Sequence, residues 1–107
     1  MNILSKNIEE LIVFYDKTLN VDKSTYVTTN DEPTPMNCVL EMINEIPLEL
    51  WERPDLKILD PCCGNGNFSI PIYYKLNEKM NPKEVLEDIL YFNDINTNRL
   101  NNVKKIF

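Results

Sequence analysis

LKILDPCCGNGNF, residues 56–68, changes character halfway along. Leu56, Ile58 and Leu59 form a short apolar run that ends in an acid, Asp60, and reads as a buried strand. Gly64 and Gly66 then make a turn, and from Phe68 the apolar residues step by four (Phe68, Ile72, Leu76, Met80), which predicts a helix over 68–80. Asn81-Pro82 breaks that helix, and Pro82 opens a short one reaching Asp88. Ile89, Leu90, Tyr91 and Phe92 form a second buried strand. Asn93, Asp94, Ile95 and Asn96 follow it, then a last helix over 97–106 with Leu100, Val103 and Ile106 turned inward. Strand, glycine turn, helix, strand, helix is the order of two parallel strands joined by a crossover, the start of a doubly wound α/β sheet.

Towards the amino end the pattern is helical. Ile8, Leu11, Ile12, Tyr15 and Leu19 recur along one helix face, and Asn7 with Glu10 fits a capping box. Residues 20–33 are polar and turn-rich and read as a loop. A second helix is predicted over 35–46, with Thr34 as its cap, Pro35 in its first turn and Pro47 near its end. Val39, Met42, Ile43 and Ile46 are its expected apolar face. Residues 47–54, with Trp51, read as a connector packed on the core. The expected fold is therefore α/β, with two helices preceding two legible parallel strands. Residues 1–32 form an amino-terminal helix and loop, and residues 33–107 form the α/β part.

Composition bounds the function. A chain of 107 residues with 43% hydrophobic content has room for one small packed domain. Its apolar runs fall far short of the ~20 residues that span a bilayer, and the start, MNILSKNIEE, has no signal-peptide pattern. An intracellular, soluble protein is expected. The net charge is −6, and Arg99, Lys104 and Lys105 are the only local basic cluster, so a grip on nucleic acid must come largely from elsewhere. Cys38, Cys62 and Cys63 have no CxxC spacing and the chain has no histidine, which argues against zinc and for reduced thiols. No metal and no membrane partner are expected.

The chemistry concentrates at residues 60–68, just past the carboxyl end of a strand, where α/β sheets bind ligands. Gly64 and Gly66 permit tight turns and close approach of a ligand. The helix beginning near Asn67 offers unsatisfied N–H groups and partial positive charge suited to a carboxylate. Asp60 can accept from an amino group or an ordered water. A plain strand-to-helix turn would use the same two glycines. Asp94 strengthens the reading, because such folds place an acid there to hold the ribose hydroxyls, and a carboxylate's two oxygens suit a vicinal diol. Ile95 is placed to cover one face of an adenine ring. By itself Asp94 is equally a strand-end acid or a helix cap; loop and acid together favour a nucleoside. Ser69 stands where the dinucleotide fingerprint needs its third glycine, and Asp60 would repel a pyrophosphate while favouring the methionine ammonium of S-adenosylmethionine. A phosphate-cradling GxxxxGK[ST] is absent.

DPCCGNGNF resembles the first cofactor motif, Asp-Pro-x-x-Gly-x-Gly-x-Phe, of adenine-N6 DNA methyltransferases. Thr34-Pro35 before an apolar helix (TPMNCVLEMI) resembles the Thr-Pro motif that precedes it in one subgroup. LYFNDIN resembles the segment whose acid binds the ribose. The resemblance spans residues 33–107 and implies a partial Rossmann-like methyltransferase fold that binds S-adenosylmethionine. It implies that Thr34 and the Gly64 to Gly66 loop surround the methionine moiety, with Asp60 near its ammonium, Cys62 contributing backbone, Asp94 on the ribose and Ile95 on the adenine. The departure is in the catalytic motif. These enzymes hold the target amine with Asn/Asp-Pro-Pro-aromatic, and the only Asn-Pro here, Asn81-Pro82, is followed by Lys83 and Glu84. No catalytic residue is therefore assigned, and the chain is expected to end before that motif and to be inactive alone. The implied partners are DNA, as substrate of the complete enzyme, and a downstream catalytic or target-recognition segment or subunit; the implied setting is the cytoplasm or nucleoid, within restriction-modification. The alternatives are an inactive remnant or interaction module on the same scaffold, or a methyltransferase part acting on RNA or protein.

Overall fold

The computed structural model describes residues 3–19 and 34–107. The stretch 20–33, expected as a loop, lies outside the described residues. Helix α1, Ile8–Phe14, starts with the expected capping box: Asn7 Oδ1 accepts from the Glu10 N–H at 2.8 Å, and Glu10 Oε1 accepts in return from the Asn7 N–H. It runs on into one π-helical turn, Tyr15–Leu19. Leu11 and Tyr15 are fully buried, Ile12 and Leu19 pack at the margin, and Ile8, in the first turn, is exposed.

Helix α2, Met36–Asn44, departs from expectation at its start. Pro35 is the N-cap, no side chain caps the helix from that position, and Thr34 does not do so. Instead Asp16 reaches from the π-helical turn, and its Oδ1 accepts from the Met36 N–H at 2.9 Å. The buried face is Met36, Val39 and Ile43, while Met42 and Ile46 are exposed. The inward stripe is thus set by the tethered first residue, and Met42, one residue before Ile43, is turned about 100° away from it. The connector contains a helical turn, α3, Leu48–Trp51, and Trp51 packs into the core as expected.

Strands β1, Ile58–Asp60, and β2, Leu90–Phe92, form a parallel pair in register Ile58 with Leu90, Leu59 with Tyr91 and Asp60 with Phe92. The crossover holds α4, Ser69–Asn77, and α5, Pro82–Glu84. Asn81 caps α5, its Oδ1 accepting from the Glu84 N–H at 2.9 Å. A second π-helical turn, Val85–Ile89, takes up Ile89, so β2 begins one residue later than the apolar run suggested. Helix α6, Thr97–Ile106, buries Val103, leaves Leu100 and Ile106 partly covered, and also buries Arg99.

One hydrophobic cluster joins these elements. Leu11 and Tyr15 of the amino-terminal segment meet Met36, Val39, Trp51, Ile70, Tyr73, Leu76, Val85 and Leu90. The Tyr74 hydroxyl lies 2.8 Å from the Ile3 carbonyl oxygen and 2.9 Å from that of Lys6, fastening the first described residues to α4. The sheet is covered unevenly. Leu90 is buried on the inner face, but the register partners Leu59 and Tyr91 on the other are 64% and 45% exposed. The architecture is α/β with a two-stranded parallel sheet, and no helix among the described residues is long and apolar enough to cross a membrane.

Candidate functional site

The ladder between the strands does not stop where the strands do. The Asn93 N–H donates to the Asp60 carbonyl at 2.9 Å, and the Cys63 N–H donates to the Asn93 carbonyl at 2.8 Å. These two bonds carry the loop after β1 alongside the loop after β2, so Asp60 and Asp94 stand at neighbouring strand ends. The loop then folds on itself, the Gly66 N–H donating to the Cys63 carbonyl at 2.8 Å. Both glycines have positive φ, +55° at Gly64 and +90° at Gly66, a region costly for residues with a Cβ.

The two glycines do different work. A Cβ at Gly64 would meet nothing within 4 Å, so this position faces open space where a ligand can approach the backbone. A Cβ at Gly66 would lie 3.1 Å from Ile70 Cγ1 and from the Tyr15 hydroxyl, and 3.4 Å from Val103 Cγ2. Gly66 therefore serves close packing of the loop on the core rather than ligand approach.

Asp94 ties the loop to α6. Its Oδ2 accepts from the Gly64 N–H at 2.8 Å and its Oδ1 from the Asn96 N–H at 2.7 Å. Asn96 in turn caps α6, its Oδ1 accepting from the Asn98 and Arg99 N–H groups. Each carboxylate oxygen keeps a second lone-pair direction for another donor. On the other side Asp60 Oδ2 accepts from the Ser69 hydroxyl at 2.7 Å. Helix α4 starts at Ser69 rather than near Asn67, and the Ile70 N–H already donates to the Gly66 carbonyl, so its first turn offers a ligand less than the sequence implied.

Sequence reasoning passed over two asparagines. Asn65 and Asn67 alternate with the glycines and are 4% and 6% exposed. Asn67 Nδ2 donates to the Thr34 carbonyl at 2.6 Å, which brings the Thr34-Pro35 segment against the loop. The Oδ1 atoms of both are enclosed with no partner among the described residues, and enclosed acceptors of this kind are commonly met by an ordered water. The G-N-G-N alternation was the available signal, since such residues are rarely buried without reason. Of the residues singled out in sequence, Thr34, Asp60, Gly64, Gly66 and Asp94 converge on this loop. Cys62 is exposed within it, and Ile95 is fully exposed beside Asp94.

The local field is negative. Burial, then Asp60, then Asp94, push the Cys63 thiol up to about 11, and residues 58–69 contain no Lys or Arg. Such a site suits a cation better than a phosphate. Because the fold favours the neutral thiol, its contribution to stability is intact below the ordinary thiol range and is lost as pH rises towards 11. At pH 8 iodoacetamide is expected to modify the exposed Cys38 and Cys62 well before the buried Cys63. Peptide mass mapping reads this out, and labelling of Cys63 as fast as Cys62 would contradict the loop's packing.

A concavity of ≈ 390 Å³ lies away from the loop, between α3 and the start of β1, lined by Ile46, Leu50, Trp51, Leu56 and Ile58 among others. It shares no residue with the glycine loop and has only Arg53, Asp55 and Lys57 as charged lining, so it lacks the convergent acceptors found at the loop. No group of His, Cys, Asp or Glu among the described residues is arranged to hold a metal. The geometry defines an α/β chain with a glycine loop and two acids gathered at the carboxyl ends of parallel strands. Compared with protein-family models, with curated proteins and with solved structures, the chain gives no match in any of the three.

Proposed function

We propose that this loop binds S-adenosylmethionine and that the chain is the cofactor-binding part of a DNA adenine-N6 methyltransferase. The carrying observation is the pair of carboxylates, Asp60 and Asp94, at adjacent strand ends on either side of a Gly64 backbone open to ligand. No Lys or Arg in residues 58–69 would neutralise these acids. This donor-poor, acceptor-rich cradle fits a ligand with an ammonium and a ribose diol. Asp60 would hold the ammonium, Asp94 the diol and Ile95 one face of the adenine, with Thr34 and the backbone at Cys62, Gly64 and Gly66 enclosing the methionine end. Bound, the cofactor supplies an electrophilic methyl group; this chain's residues bind and orient it. Adenine in DNA as the acceptor follows from the motif resemblance. The Rossmann-like methyltransferase fold belongs to the same proposal.

Isothermal calorimetry with S-adenosylhomocysteine, on a sample shown to be folded, tests the cofactor. Weak binding is expected, and none of NAD. Asp94→Ala is expected to lose about 1–3 kcal/mol of binding, the range for hydrogen bonds to a charged group. Absence of binding at millimolar ligand, or equal affinity in Asp94→Ala, would sink the assignment. The purified chain is further expected to transfer no methyl group to DNA, because it has no Asn-Pro-Pro-aromatic motif to orient the amine and stack on an extruded base. Asn81-Pro82 is no substitute, since Asn81 is spent on capping α5. Mass-spectrometric detection of N6-methyladenine, with contaminating methylases excluded, would overturn this.

A second reading, a module on the same scaffold without turnover, draws on Asp94 itself. Both its oxygens already accept from main-chain N–H groups, so it is a structural brace whether or not a ribose arrives. The Asp94→Ala experiment separates the two readings, because a pure brace would raise loop mobility in a chain that never bound the cofactor.

A further inference from the structure

Tyr15 and Asp16 sit side by side in the π-helical turn that ends the amino-terminal helix, and each reaches a different half of the candidate site. The Tyr15 hydroxyl donates to the Asn65 carbonyl at 3.0 Å, across fifty positions of sequence, and lies 3.1 Å from where a Gly66 Cβ would be. The Asp16 carboxylate accepts from the Met36 N–H, fixing the start of α2 directly after Thr34-Pro35. Asn67 closes the circuit by donating to the Thr34 carbonyl. A π-helical turn widens the local helix and is often found at functional positions; here it lets consecutive side chains serve two separate backbone segments.

We infer that Tyr15 and Asp16 are positioning residues for the ligand loop: one holds the glycine turn from below, and the other sets the Thr34 segment that faces it. Resting on the cofactor reading above, this gives the amino-terminal segment a role in binding without contact to the ligand. Tyr15 suits the task because it is wholly enclosed. Burial, with Tyr74 and Cys63 nearby, drives its phenol well above the usual range, so the hydroxyl remains a donor throughout the physiological span. A core tyrosine that merely fills space would instead show as uniform destabilisation.

Two substitutions in the full chain test this, with amide hydrogen exchange on the free protein and calorimetry with S-adenosylhomocysteine. Tyr15→Phe keeps the ring and removes only the hydroxyl. It is expected to raise exchange at residues 64–68 about tenfold, to leave residues 85–92 unchanged, and to weaken binding about tenfold, the size of one lost buried hydrogen bond. Asp16→Ala is expected to raise exchange at Met36 and weaken binding similarly, and Asp16→Asn, whose amide oxygen can still accept, is expected to restore both. Unchanged exchange at 64–68, an equal rise in both segments, faster loop exchange without loss of affinity, or failure of Asn to rescue would each overturn the inference. If the wild-type chain binds no S-adenosylhomocysteine, the cofactor reading fails, and the exchange pattern still decides whether these residues hold the loop.

Discussion

Gly66→Ala is expected to destabilise the protein by about 2–5 kcal/mol, and Gly64→Ala by only about 1–2 kcal/mol. Both residues have positive φ, so each substitution carries a backbone penalty of roughly 1–2 kcal/mol. Only at Gly66 does the new methyl also meet Ile70 and the Tyr15 hydroxyl at 3.1 Å, and overpacking of that kind adds about 1–3 kcal/mol. For a small domain whose total stability is on the order of 5–10 kcal/mol, the difference separates a folded variant from a marginal one. Urea titration followed by circular dichroism measures both. Equal losses would mean that the loop can shift away from the core, contrary to the packing described. The pair also separates structure from binding, because Gly64→Ala should stay folded yet obstruct a ligand on the open side of the loop.

The second large effect concerns the sheet. Purified alone, the chain is expected to self-associate or melt easily, because one face of a parallel strand pair stands bare. Parallel strands are normally covered on both faces, and here the crossover, chiefly α4, packs on one face and leaves Leu59 and Tyr91 exposed on the other. Leu59 and Tyr91, opposite one another, leave on the order of 200 Å² in water, forfeiting about 5 kcal/mol at 25 cal/mol per Å². Two short strands also leave open backbone edges that attract further strands. Light scattering across a concentration series should show association, and Leu59→Thr with Tyr91→Lys should suppress it without lowering the melting temperature. A polypeptide supplying further strands should raise that temperature. A stable monomer with a cooperative melt above about 60 °C, the upper end for mesophile domains, would refute this.

Much of the architecture was legible because local signals agreed with one another. The Asn7 and Glu10 capping box, the Asn81-Pro82 break, the two short apolar runs and their parallel pairing are stated by residue type and spacing alone. Errors arose where distant residues overrode local preference. Thr34 is a good cap by type, but the Met36 N–H takes Asp16 from twenty positions away. Met42 and Ile46 fit an apolar stripe, yet the tethering of Met36 rotates α2 so that the inward stripe begins one turn earlier. The site divides in the same way. Asp60, Gly64 and Asp94 follow from their places at strand ends, whereas the packing role of Gly66 and the burial of Asn65 and Asn67 depend on Tyr15 and Thr34, which no local pattern connects to the loop.

The contacts of Tyr74 and Tyr15 also bear on the order in which the protein assembles as it is made. The first residues are fastened through Tyr74 to Ile3 and Lys6, separations of 71 and 68 positions, and through Tyr15 to Asn65 at a separation of 50. Contacts of such range slow folding, since long loops must close before they are rewarded. During synthesis, at roughly 5–20 residues per second, α1 leaves the ribosome seconds before its partners exist. Its apolar side chains, Leu11 and Tyr15, must wait in solvent until α4 has emerged. Helix α1, made before α4 and the glycine loop, is thus among the last elements to find its place, and the loop takes its final form only when that helix closes beneath it.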